Sequence, residues 1–356
     1  MTEKRPIDLV VVGAGPCGLS AAVEASRTGM SCVVFDKGCI TRSIALYPTY
    51  GTFFSTPDRL ELGGVPFIIP GDKPTRLDAL KYYRRIAQEF DLDVRQYTEV
   101  VAIEGEWGRF AVHTRAMSGQ EATTRARNVL IATGYADSPN RLGVPGEDLP
   151  NVSHYYDEGH PYYDQDCIVV GAGNSAVEAA LDLFRAGARV TMVHFLDRLD
   201  SGVKPWILPD IENRLKKGEI AVRWNRRVAE ILPDRLRLRE EGSDRTEEIA
   251  NDFVFAMTGY CPDPALLRSL GVRLDPETRI PEFEDETMET NVPGVYVAGV
   301  LVGGTRPDKV FIESGRLHGP RAVRHIAVCP GPPENGRLTE TETVPRGSGG
   351  DGISEE

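Results

Sequence analysis

Gly13-Ala14-Gly15-Pro16-Cys17-Gly18 follows the apolar run Leu9 to Val12 and opens a small-residue stretch, Ser20 to Thr28, that reads as a helix. Strand, glycine turn and helix in that order make a dinucleotide-binding turn. The glycines allow a sharp turn and a close approach of backbone to pyrophosphate, and the helix start offers free amides and the positive end of its dipole. Ser31 to Phe35 is the second strand and ends on Asp36. An acid about 20 residues after the turn can hydrogen-bond ribose hydroxyls and disfavours a 2′-phosphate, so FAD or NAD is expected here. Gly13, Gly15, Pro16, Cys17, Gly18, Asp36 and Lys37 are the candidate contacts.

A second turn, Gly171-Ala172-Gly173-Asn174-Ser175-Ala176, sits between the apolar run Ile168 to Val170 and a helical stretch, Ala176 to Ala186. Its following strand, Arg189 to Val193, runs into His194, with Asp197, Arg198 and Lys204 beyond, and no acid directly at the strand end. Basic groups accommodate a 2′-phosphate, so this turn is expected to take NADPH. The candidate contacts are Gly171, Gly173, Asn174, Ser175, Ala176, His194 and Arg198, while Arg198 and Lys204 also read as solvated surface charges.

Around these turns the pattern is that of an α/β protein with two Rossmann-like domains. Arg76 to Phe90 reads as a helix, Asp93 to Tyr97 as a strand, and 99–131 as an antiparallel meander whose last strand ends at Thr133-Gly134. Phe253 to Met257 ends in the same way at Thr258-Gly259, Val295 to Ala298 is a last strand, and Val310 to Ile326 a closing helix. The expected division is a first part of an FAD domain over 1–140, an NADPH domain over 141–262, a second part of the FAD domain over 263–328, and a disordered tail over 329–356.

A net charge of -12 argues against nucleic acid or an anionic membrane surface as partner. No apolar stretch nears the roughly 18 residues that span a bilayer. Met1 to Pro6 is polar, without a signal core, so a cytoplasmic setting is expected. The cysteines at 17, 32, 39, 167, 261 and 329 form no CxxC pair and share no metal-ligand spacing with the histidines, so neither a metal nor a disulfide scaffold is expected.

The order of the two turns, with Ala132-Thr133-Gly134, Thr258-Gly259 and Thr290 to Gly299, resembles the two-dinucleotide flavoprotein disulfide reductases, and most of all their thioredoxin reductase branch. The finer resemblance is to the bacillithiol disulfide reductase family. It rests on Tyr47-Pro48-Thr49, Thr52 to Ser55, His160 to Gln165, Gly173 to Ala180, Lys204 to Pro209, Ala298-Gly299-Val300 and Phe311 to Arg316, and covers roughly residues 7–326. It implies FAD in the first domain, NADPH in the second, a homodimer, and reduction of a low-molecular-weight thiol disulfide or a bacilliredoxin-like protein. By the same resemblance Val100 contacts adenine through its backbone, Thr133 and Gly134 close around the cofactor, and Gly299 and Val300 meet the flavin. Val300 stands where thioredoxin reductases carry an Asp.

Without a cysteine pair, Cys17 is the candidate catalytic thiol. Its helix start favours the thiolate, the FAD pyrophosphate opposes it, and plain packing is the competing reading. Cys32 and Cys167 read as packing residues, and Cys39, Cys261 and Cys329 carry no assigned chemistry. His318 on the closing helix reads either as a proton donor or as a structural residue. Two other functions fit the same frame: an NADPH-dependent ferredoxin or flavodoxin reductase, which needs no thiol, and a flavin-bound redox sensor without turnover.

Overall fold

The computed structural model describes residues 5–306 and 309–329. Ile7–Val12, Cys32–Phe35 and Val94–Arg95 lie side by side in parallel, because continuous apolar runs are stable where helices cover both faces. Glu121–Ile131 joins two kinds of sheet. Its second half runs parallel to Ile7–Val12 on one side and to Val295–Val297 on the other, with Val129 paired to both Val10 and Val295. Its first half pairs antiparallel with Phe110–Ala116, which in turn pairs with Thr98–Glu104. The meander is therefore a continuation of the first sheet. The Asp93 to Tyr97 strand shrinks to Val94–Arg95, since Tyr97 takes a left-handed backbone, φ 53°, and turns the chain into Thr98.

The first helix spans Pro16–Arg27 and starts four residues before its expected point, with proline in its first turn, where no amide partner is lost. Its small face (Ala21, Ala22, Ala25) packs with Leu9, Val11, Tyr296, Ala322, Val323 and Ile326 into one buried cluster. The closing helix breaks in two, Ile312–Gly315 and His318–Val328. Pro320 has no amide to give the Arg316 carbonyl, and that carbonyl accepts instead from Ser20 Oγ on the first helix. The expected tail lies outside the described residues, apart from Cys329, which ends the last helix.

A second, fully parallel sheet runs Ala221–Arg223, Arg189–Val193, Asp166–Val170, Phe253–Ala256 and Val152–Ser153. The helix Asn174–Arg185 covers it through Ala176, Val177, Ala180 and Leu183. Arg226–Ile231, Arg235–Glu240 and Thr246–Ala250 form a small antiparallel sheet, with Leu236 and Leu238 packed on Ile168 and Val254. Nothing in the reading of the sequence anticipated it. Among the described residues no helix is long and apolar enough to cross a membrane.

Candidate active site

Each glycine of the first turn has a separate physical duty. Gly13 adopts φ 109°, and a Cβ there would overlap the Ala132 carbonyl. Gly18 lies so close to the Gly13 carbonyl that it too must lack a side chain. Gly15 faces open space, with nothing within 4 Å of where its Cβ would lie. It also caps the helix without a side-chain hydrogen bond, and the first turn of the helix carries no acid. The Asp36 carboxylate accepts from the amides of Ala14, at 2.7 Å, and Gly38, at 2.8 Å, which lock it beside the turn. Burial pushes its carboxyl up and the two amides pull it down. Lys37 and Arg42 both pair with Asp137, at 3.3 and 3.1 Å, and form a charged rim to the same end of the site. A cradle open at Gly15, uncapped, and bounded by an anchored acid fits a dinucleotide pyrophosphate and its ribose.

A cavity of about 960 Å³ begins here, at Gly13, Gly15, Pro16, Asp36 and Lys37. It passes Val100, Thr133 and Gly134, then Cys17, Gly299 and Val300, and reaches Asn174 and Ser175 of the second turn together with Glu178 and Lys204. Tyr135, Tyr155 and Tyr260 form one wall, with ring centroids 5.8 Å apart in each of the two pairs that Tyr260 makes. No local pattern signals that wall, because it joins the chain segments that cross between the two large sheets.

Cys17 is the sole cysteine in the wall among the described residues. Its sulfur is wedged between two glycines: a Cβ on Gly299 would lie 3.1 Å from Sγ, and one on Gly315 2.8 Å. Burial pushes the thiol up to about 12. His318 is buried, and its Nδ1 accepts from the Gly299 amide at 3.1 Å. Burial brings it down to about 4, which keeps the ring neutral at neutral pH, with Nδ1 as acceptor.

The second turn is built alike. Gly171 adopts φ 128° and fits against the Met257 carbonyl. Ala176 is buried under the turn, and the helix again begins without a side-chain cap. Asn174 is not free: it donates to Glu178 at 3.0 Å and accepts from the Lys204 amide at 3.2 Å. Lys204 pairs with Glu178 at 2.6 Å and donates to the Thr52 carbonyl at 3.1 Å, so it ties the two halves together and is no solvated charge. His194 is buried at the strand end, and burial lowers its pKa. Arg198 is exposed, 3.6 Å from Asp197, and lines a separate cavity of about 390 Å³ with Asp200, Ser201 and Trp224. Asp200, which the sequence reading passed over, comes within 3.7 Å of His194 Nε2. The strand end that carries no acid in sequence therefore has one in space.

A profile of the family described as Pyridine nucleotide-disulphide oxidoreductase matches residues 10–299. The chain is 43% identical over 319 residues to the bacilliredoxin reductase Bdr of Bacillus subtilis, covering 89% of this chain and 97% of that one. It is also similar to two solved structures described as Bacillithiol Disulfide Reductase Bdr (YpdA). One is from Bacillus cereus, at 40% identity and TM-score 0.88, covering 91% of this chain and 99% of that one. The other is from Staphylococcus aureus, at 37% identity and TM-score 0.85, with the same coverage of 91% and 99%. The protein thus belongs to the pyridine nucleotide-disulphide oxidoreductase family and, within it, to the bacillithiol disulfide reductase branch, as an oxidoreductase whose cofactors are FAD and NADPH.

Proposed function

We propose that this protein uses NADPH to reduce the disulfide of a low-molecular-weight thiol, bacillithiol disulfide above all, or of a bacilliredoxin-like protein that carries it. The observation that carries this reading is the single cavity into which both dinucleotide turns open and whose wall holds one thiol, Cys17. When bound, FAD supplies the two-electron chemistry between NADPH and the disulfide. The chain supplies position. The first turn, with Asp36 and Lys37, holds the adenosine and pyrophosphate; Val100, Thr133 and Gly134 enclose them; Gly299 and Val300 meet the flavin ring. Gly171, Gly173, Asn174, Ser175, Ala176, His194 and Arg198 serve NADPH. The two large sheets, one mixed and one parallel, support a division into FAD parts over 1–140 and 263–328 and an NADPH part over 141–262.

Cys17 is the proposed catalytic thiol. Its sulfur would attack the substrate disulfide, forming a mixed disulfide and releasing one thiolate, with two electrons then needed to free the second. Burial raises the thiol to about 12, so it must first give up its proton. Whatever binds beside it must therefore shift that balance. The proposal extends to a homodimer working in the cytoplasm, a setting in keeping with cysteines that are all free among the described residues.

The test is NADPH oxidation with bacillithiol disulfide, glutathione disulfide or ferredoxin as acceptor, for the wild type and Cys17→Ala. Turnover on bacillithiol disulfide that is lost in Cys17→Ala, while NADPH still bleaches the flavin, supports the thiol route. Unchanged turnover assigns Cys17 to packing, and turnover on ferredoxin alone overturns the disulfide reading.

A further inference from the structure

The middle glycine of each turn stands where pyrophosphate approaches the backbone, and the two turns differ at that point. The missing Cβ of Gly15 faces open space, whereas that of Gly173 would lie 3.1 Å from Asp200 Oδ2. The carboxylate stands beside Gly173, at the start of a 12-residue helix that has no side-chain cap and no acid in its own first turn. That end of a helix favours an anion, and the Asp200 carboxylate lies next to it. The Asp200 amide donates to the Ala172 carbonyl at 3.1 Å, which pins its loop to the turn. The carboxylate has a second seat nearby. His194 is 5% exposed, and its Nε2 has no hydrogen-bond partner and lies 3.7 Å from Asp200 Oδ1.

We propose that Asp200 is an internal competitor for the dinucleotide phosphates, covering Gly173 when the second site is empty and moving onto His194 when NADPH enters. This rests on the reading of the second turn as the NADPH site and adds the residue that sets its affinity. Asp200 weakens binding because a carboxylate and a phosphate compete for the same helix start and repel each other. His194 offsets part of that cost by receiving the displaced side chain.

The test is calorimetric titration of NADP⁺ and NAD⁺ into flavin-loaded wild type, Asp200→Asn and His194→Phe. Asp200→Asn is expected to tighten both nucleotides by about tenfold, with a difference that shrinks as salt is added. His194→Phe is expected to weaken both, since both carry the pyrophosphate that displaces Asp200; weakening of NADP⁺ alone would make His194 a 2′-phosphate contact and overturn the second seat. Equal or weaker binding by Asp200→Asn, with an unchanged melting temperature, would overturn the competition and leave the NADPH site standing. Binding of neither nucleotide by any form would overturn both.

Discussion

The backbone amide of Gly299 donates to Nδ1 of His318 at 3.1 Å, across the gap between the last strand of the first sheet and the closing helix. This bond fixes the neutral tautomer with its proton on Nε2. Burial brings His318 from 6.5 to about 4. Between those values the unfolded chain binds a proton that the folded chain refuses. Stability is therefore flat above pH 6.5 and falls as pH drops from 6.5 toward 4, by up to roughly 3 kcal/mol from this group. Urea unfolding of the flavin-loaded protein at several pH values should show that slope, and His318→Phe should flatten it. The variant also leaves the Gly299 amide without its acceptor, at about 1–3 kcal/mol. A wild-type profile that is level from pH 7 to 4.5 would remove the argument.

Cys17 and Gly315 should be coupled. With the sulfur 2.8 Å from where a Cβ of residue 315 would lie, Gly315→Ala is expected to cost about 1–3 kcal/mol. Cys17→Ala in the same chain should return much of that, though not all, because the Gly299 Cα remains 3.3 Å away. A double-mutant cycle by denaturant unfolding measures the coupling, and strict additivity would show that the wedge has no energetic meaning.

Lys204 and Glu178 are largely shielded, with side chains 11% and 17% exposed. Lys204→Met should strand the Glu178 carboxylate and destabilise the protein by about 1–3 kcal/mol, short of a fully buried pair because water still reaches both groups. Adding Glu178→Gln should recover part of the loss. Since Lys204 also holds the Thr52 carbonyl, limited proteolysis should cut the 47–55 loop faster in Lys204→Met, and an unchanged cleavage pattern would deny the tie between the halves.

Asp36→Ala leaves the Ala14 and Gly38 amides without their acceptor and removes the acid proposed to hold the ribose. The variant should purify with flavin binding weakened at least about tenfold. Asp36→Asn, which keeps one accepting oxygen, should retain more. The ratio of flavin to protein absorbance after gel filtration decides it, and full flavin content in Asp36→Ala would move the ribose contact elsewhere.

The two glycine turns, the acid at Asp36 and the frame of parallel strands are legible from the order of residues alone. Each of these is set within some 30 residues by glycine geometry, apolar runs and helix starts, which depend on near neighbours. The remaining features arise from contacts between segments that only the packed chain brings together. Cys17 meets Gly299 and Gly315, Ser20 satisfies the Arg316 carbonyl that Pro320 leaves free, and Lys204 reaches back to Thr52. Asp200 lies only a short way past its strand, yet its position over Gly173 depends on how the loop folds back onto Ala172. Desolvation moved Cys17 up and His318 down, and burial is a property of the packed chain that no local pattern carries.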